Sequence, residues 1–364
     1  MTVKEVTLLV EELAPLGHAE DFDNVGLLVG DYDTVVSGIL VTLDTLENVV
    51  DEAIANDCNL IISFHPIIFG GLERLNGNTY VERVVIKAIQ HNICIYSMHT
   101  ALDNAPRGVN ARICEVLGIQ NPQILIPKKR TLKKLTTYVP NTEAEKLRGA
   151  LFEAGAGHIG NYSHCSFSME GIGSYRAGAG AQPTKGEIGK THFEQEQCVN
   201  VIFPVTREAR VLNALFQNHP YEEVAYEVLT LENTDQTVGM GMIGRLEKPI
   251  DPRKFLESVR DRMNAQGIRH SRLLDKKIQK VAVLGGSGAF AIGAAKKAGA
   301  DMLITSDLKY HQYYEAEDKI VIADIGHYET EQFTKNLLVD YLTKKMPNFA
   351  IRLSESKTNP INYL

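Results

Sequence analysis

The chain has no tryptophan, no C-x-x-C pair, and no apolar run approaching membrane-spanning length. Its five cysteines (Cys58, Cys94, Cys114, Cys165 and Cys198) are odd in number and widely spaced. That argues against a disulfide framework and a thiolate metal ribbon, and favours free thiols in a reducing compartment. The start, Met1-Thr-Val-Lys-Glu-Val, lacks the charged-then-apolar pattern of a secretory leader, so a cytoplasmic protein with no membrane partner is expected. There is no long basic run, and the formal net charge is -7. Nucleic acid is therefore not an expected partner, and an anionic nucleotide would need local compensation from a metal or from Arg/Lys. No G-x-x-x-x-G-K-[ST] loop occurs, no G-x-S-x-G elbow, and no cysteine in an evidently activated setting. Covalent nucleophilic catalysis has little support.

What is present is an ordinary globular composition, 44% hydrophobic and 23% charged, over 364 residues. That length predicts two or three domains with a sizeable core. Residues 4–14 carry apolar positions at helical spacing. After the turn-rich stretch Asp21–Gly30, Ser37–Leu43 reads as a buried strand. Asp44 or Thr45 then caps a helix to about Asn56, and Cys58–Ser63 reads as the next strand, ending in Phe64-His65-Pro66.

The C-terminal part repeats that wording. Lys280–Leu284 reads as a strand, Gly285–Gly288 as a turn, Ala289–Ala298 as a helix and Asp301–Thr305 as a strand. Asp57–Pro66 aligns with Ala300–Lys309, and Ile93–Asp103 with Ile320–Glu331. The order of these segments predicts an internal duplication: an α/β fold in which two βαβ-type units form one pseudo-symmetric core. Strands joined by helical crossovers should run parallel, with ligands at their carboxyl ends.

Between the halves the texture changes. Residues 130–140 alternate polar and apolar, and a helix is predicted over Thr142–Gly155, capped by Asn141 or Thr142. A glycine-rich tract over 155–180 follows, then strand Cys198–Val205, helix Glu208–Asn218 and strand Tyr226–Leu231. The expected organisation is a core of residues 1–127 and 234–364, with an inserted α+β domain over 128–233.

Two strands end in a His-x-x-x-acid unit: Ile93–Ser97 before His99-Thr-Ala-Leu-Asp103, and Ile320–Ile325 before His327-Tyr-Glu-Thr-Glu331. Residues four apart share one helix face, so an imidazole and a carboxylate there can grip one cation. The ligand set read from this pattern is His65, Asp103, His327 and Glu331, with His99 and Asp324 orienting them. Mixed imidazole and carboxylate donors suit a divalent metal, zinc foremost, with manganese or iron as alternatives. Glu331 could bridge two ions, giving one or two per subunit.

Competing readings stay open. Gly286-Ser-Gly288-Ala-Phe-Ala291 follows a strand and fits the G-x-G-x-x-G/A form of a dinucleotide fold, with Asp307 some way on. Only a short stretch of chain follows, whereas that fold normally begins with this unit. A tight turn allowing close helix–strand packing explains the same glycines. Lys309 and His311, at the end of a strand equivalent to the one bearing His65, are candidates for contacting an anionic substrate or for acid/base work.

Asp23-Asn-Val-Gly-Leu, Ser63-Phe-His-Pro, Met98-His-Thr-Ala-Leu-Asp103, Ile304-Thr-Ser-Asp-Leu-Lys-Tyr-His311 and Gly326-His-Tyr-Glu-Thr-Glu331 together resemble the GTP cyclohydrolase 1 type 2 homologues, or Nif-three-like proteins. Gly157–Phe167 and His219-Pro-Tyr-Glu-Glu-Val-Ala-Tyr226 resemble the ferredoxin-like PII/CutA-like insert of the longer bacterial members. The resemblance implies a duplicated α/β core, a dinuclear metal site on His65, Asp103, His327 and Glu331, and a toroidal homohexamer. It implies a metal-dependent hydrolase that opens the guanine ring of GTP and releases formate, or acts on another purine nucleotide. The alternative is a non-catalytic metal-binding regulatory assembly whose insert senses a small molecule. One departure stands out: many bacterial members carry His-His where this chain has Phe64-His65, and Phe64 cannot coordinate.

Overall fold

The structure is a computed structural model that describes residues 1–364. It divides into two compact units, one of Met1–Pro127 with Gln236–Leu364 and one of Lys128–Asp235.

The first unit opens with α1 (Val3–Leu13), which buries Val3, Val6, Val10 and Leu13. Thr2 starts it with a reciprocal cap: its hydroxyl accepts from the Glu5 amide at 3.3 Å, and Glu5 accepts from the Thr2 amide at 2.9 Å. Then come β1 (Gly26–Val29), β2 (Ile39–Thr42), α2 (Glu47–Ala55), β3 (Leu60–Ser63), α3 (Tyr80–Gln90) and β4 (Cys94–Ser97). The short α4 (His99–Asp103), α5 (Val109–Leu117) and β5 (Gln120–Pro127) close this half. Every residue of β2, β3 and β4 is buried, because helices cover both faces of a parallel sheet. The cap expected at Asp44 or Thr45 does not form. Helix α2 begins at Glu47 after Leu46, with no side-chain cap, and Asp44 is engaged elsewhere.

The second unit contains β6 (Leu132–Pro140), α6 (Ala144–Glu153), β7 (Ser166–Arg176), β8 (Thr191–Pro204), α7 (Glu208–Asn218) and β9 (Tyr226–Thr230). Its antiparallel sheet has the order β7-β8-β6-β9. This is the ferredoxin-like arrangement, an α+β fold with two helices against one sheet face. Leu135, Val139, Val199, Val201 and Phe203 pack there against Leu147, Leu151, Val211 and Leu215. Strand β7 corresponds to part of the glycine-rich tract, whose glycines hide the strand pattern. Neither Asn141 nor Thr142 caps α6, which follows Glu143 without a side-chain cap.

The first unit resumes with β10 (Gly239–Ile250), α8 (Pro252–Arg262), β11 (Arg269–His270), β12 (Ile278–Ser287), α9 (Ile292–Lys297), β13 (Met302–Ser306) and β14 (Val321–Asp324). Helices α10 (His327–Glu331) and α11 (Thr334–Lys345) and strand β15 (Ile351–Leu353) end it. The helix expected over Ala289–Ala298 splits into a 3-10 turn, Ala289–Ala291, and the six-residue α9.

The two sheets of this unit run β1-β4-β3-β2-β15 and β11-β14-β13-β12-β10-β5. In each, three consecutive parallel strands (β2, β3, β4 and β12, β13, β14) are flanked by a short antiparallel strand on the third. The duplication is therefore one of topology. Register refines the sequence alignment by one residue. Ser63 pairs with Ser97 and Thr305 with Asp324, while the Met98 amide donates to Ser63 as the Ile325 amide donates to Thr305. Ser63 thus matches Thr305, and His65 matches Asp307. Fully buried strands have no polar face, so their sequences can slide by one without an obvious mismatch.

Candidate functional site

His65 lies just past the end of β3, its backbone amide donating to Leu43 O at 2.9 Å and its carbonyl accepting from the Ser63 hydroxyl at 2.7 Å. Across the duplication, Asp307 follows β13 with φ 58 and Gly326 precedes α10 with φ 100. These left-handed residues turn the chain sharply at the strand ends. His327 then opens α10 and places Glu331 one turn along the same face.

The tips converge. Glu331 Oε2 lies 3.1 Å from His65 Nε2 and 3.1 Å from His327 Nε2, and donor atoms of the three residues lie within 4.8 Å of one another. A carboxylate orients each imidazole from behind. His65 Nδ1 donates to Asp44 Oδ1 at 2.8 Å, and His327 Nδ1 to Asp307 Oδ2 at 2.6 Å. These partners fix the ring planes and leave Nε2 of both rings directed at one point.

Gly286 makes room for this arrangement. It has φ 67, and a Cβ there would run into the Glu331 carboxylate. Its amide donates to Thr330 Oγ1 at 2.9 Å, and the Gly285 amide to Asn110 Oδ1 at 3.0 Å. Of the glycines that fit a dinucleotide pattern, Gly286 thus has its amide engaged by a side chain and accommodates the buried acid, whereas Gly288 packs closely against Thr305.

Burial opposes the charge on both histidines. Asp44 and Glu331 outweigh it at His65, whose pKa rises to about 10; Glu331 and Asp307 do so at His327, which rises to about 9. Burial likewise pushes Glu331 up, but the His327 and His65 imidazoliums hold it low. Asp103 is pushed well above its ordinary range by burial and then by the charge of Glu331. Two acidic oxygens here are shut off from solvent: Asp103 Oδ1 has no hydrogen-bond partner, and Glu331 Oε2 is held by its 3.1 Å ion pairs with the two imidazoles, without an aligned hydrogen bond. Leaving Asp103 Oδ1 unpaired costs on the order of 1–3 kcal/mol.

The structure brings His65, His327 and Glu331 together, and Asp103 lies close enough for its charge to couple to all three. His99 stands beside them. Its ring centroid is 5.4 Å from that of His65, its Nδ1 donates to Asp23 Oδ1 at 2.7 Å, and its φ is 25. Asp324 works on the backbone, accepting from the Leu308 amide at 3.0 Å and the Gly326 amide at 3.2 Å while pairing with Arg269. Lys309 and His311 are exposed. The Lys309 amide donates to Gln312, and His311 packs between Tyr310 and Tyr314. Phe64 is fully buried, 4.8 Å from the His65 ring and 5.6 Å from that of His99.

Sequence reasoning did not foresee the roles of Asp23, Asp44 and Asp307. Asp44 follows a buried strand directly, the position where ligands and their partners are expected in such sheets, and that signal could have found it.

A duplicated α/β core carrying a His/carboxylate cluster at its strand ends defines the class. The chain belongs to the Duf34/NIF3 (NGG1p interacting factor 3) family, which it matches over residues 1–360. It is 37% identical to the GTP cyclohydrolase 1 type 2 homolog of Bacillus subtilis, over 99% of this chain and 98% of that protein. The corresponding Staphylococcus aureus protein is 31% identical over the full length of both chains. Among solved structures, the Bacillus cereus protein related to NIF3 superposes with a TM-score of 0.86 at 37% identity, covering 100% of this chain and 99% of that one. A Staphylococcus aureus protein follows at 0.79 and 28% identity, with the same coverage. No helix of the structure is long and apolar enough to cross a membrane.

Proposed function

We propose that His65, His327 and Glu331, joined by Asp103, hold a divalent cation, and that the protein is a metal-dependent hydrolase. The observation that supports this most directly is the buried Glu331 Oε2, equidistant from two imidazole nitrogens and without an aligned donor. A cation would satisfy that oxygen and the orphaned Asp103 Oδ1 together, and take the place of the two Nε2 protons. Two imidazoles and two carboxylates suit zinc, and also manganese or iron. When bound, such a cation polarises a substrate oxygen and makes water more acidic.

The chain's own residues would do the rest. Asp44 and Asp307 hold the imidazoles in one tautomer, and Glu331 balances the cation's charge. Asp103, buried beside Glu331 and both imidazoles, would share in holding the cation as a carboxylate. Phe64 supplies no donor beside His65, so a second cation would bind more weakly than the first.

A purine nucleotide such as GTP is the proposed substrate, on the strength of the relatives' names. A homohexamer is the proposed assembly. Metal titration by calorimetry, coupled to a nucleotide-hydrolysis screen, tests the reading. Turnover should require metal and vanish in Glu331→Ala. Fully metallated protein that turns over no nucleotide would favour a non-catalytic metal-binding assembly.

A further inference from the structure

The four-stranded sheet of the second unit has its helices on one face. On the other, strands β7 and β8 build a trough. Gly171 pairs with Glu196, Gly173 with Glu194 and Tyr175 with His192. Side chains on this face stand beside two positions that have none. The consequence is visible at Glu196, whose carboxylate leans across Gly173 into space that any Cβ there would occupy.

Glu196 is only 8% exposed. Its Oε1 accepts from the Tyr221 hydroxyl at 2.7 Å, whereas Oε2, the oxygen lying over Gly173, has no hydrogen-bond partner in the chain. Burial and then Glu196 hold the Tyr221 hydroxyl in its protonated form, as expected beside a charged carboxylate.

The space around Oε2 is a pocket of about 880 Å³, walled by Tyr175, Tyr221, Met169 and Ile172. The loop between β7 and β8 folds over it and is pinned. The Gln182 amide donates to Glu222 at 2.8 Å, Thr184 Oγ1 to Pro220 O at 2.9 Å, and Tyr175 Oη to Lys185 O at 2.8 Å. Glu170, Glu196, Glu222 and Glu223 line the pocket against one cation, Arg176. A carboxylate oxygen without a partner in the chain, on a mostly buried residue beside two tyrosines, is favourable next to a cation.

We propose that this pocket binds a small organic cation, a protonated amine or guanidinium on an apolar body, with the charged nitrogen on Glu196 Oε2 and the body against Tyr175 and Tyr221. The unit would thereby be a ligand-binding module with a site of its own, independent of the histidine cluster.

Calorimetric titration of the full chain with phenethylammonium and agmatine, against phenethyl alcohol and phenylpropionate as neutral and anionic controls, tests this. At least one cation should bind with a Kd below about 1 mM, and both controls at least tenfold more weakly. Glu196→Gln removes the charge while keeping an acceptor for Tyr221. Gly171→Leu fills the trough at a position where a Cβ meets nothing within 4 Å. Each should weaken cation binding at least tenfold. Absence of binding by both cations, equal binding of a control, or retained affinity in either variant overturns the proposal.

Discussion

Asp44 holds His65 at 2.8 Å through one carboxylate oxygen while its other oxygen accepts from the Thr358 hydroxyl at 2.7 Å. The C-terminal segment carrying Thr358 is itself anchored, since Glu52 accepts from the Ser354 hydroxyl at 2.7 Å and from the Glu355 amide at 2.8 Å. Residues far apart in sequence therefore set the orientation of one imidazole. Asp44→Asn should weaken metal binding by about 10–100-fold, the range seen for groups that orient a ligating histidine. Thr358→Val should have a smaller effect in the same direction. Zinc titration calorimetry measures both, and unchanged affinity in Asp44→Asn would sink the assignment.

Gly286 tests whether room at Glu331 matters. In Gly286→Ala the methyl group enters a left-handed conformation and meets the Glu331 carboxylate. A loss of about 1–2 kcal/mol is expected from the backbone alone. Metal affinity should fall too, because Glu331 must move. Urea unfolding and metal titration on the same preparation separate the two effects, and wild-type affinity in the variant would count against Glu331 as a ligand.

Asp23 links pH to stability. Burial opposes its charge, but His99 and Thr100 outweigh it and lower its pKa from 3.8 to about 2. A depressed folded-state pKa gives stability that is present above the unfolded value and lost as pH falls through the folded one. Wild type should therefore lose stability between pH 3.8 and about 2 more steeply than Asp23→Asn. Parallel slopes across that window, measured by denaturant unfolding, would show that the Asp23 contacts carry no linkage.

Phe64→His tests metal stoichiometry in the proposed centre. Phe64→His places an imidazole beside His65, where the phenyl ring now stands 4.8 Å from it. Bound zinc, counted by elemental analysis after gel filtration, should rise toward two ions per chain from one. An unchanged count would mean that the position does not face the cation.

Much of this protein is legible in its sequence. The repeated strand-then-His-x-x-x-acid wording marks the duplicated core, because periodicity and strand-end placement are local properties. His327 and Glu331 share a helix face for the same reason. The glycines at 286 and 173 misdirect a sequence reading. One fits a cofactor motif and the other sits in a tract with little strand pattern, yet each accommodates a particular glutamate.

The chain alone determined the buried strands of the two repeated units, their parallel direction and the residue types gathered at their ends. Tertiary structure alone decided which carboxylate stands behind which imidazole. It also fixed the one-residue register between the halves and left Asp103 Oδ1 without a partner. The physical reason is range. Helical and strand periodicity act over a few residues, whereas the pairings of Asp44 with Thr358 and His65 with Glu331 join side chains hundreds of positions apart, and packing of the whole unit determines them.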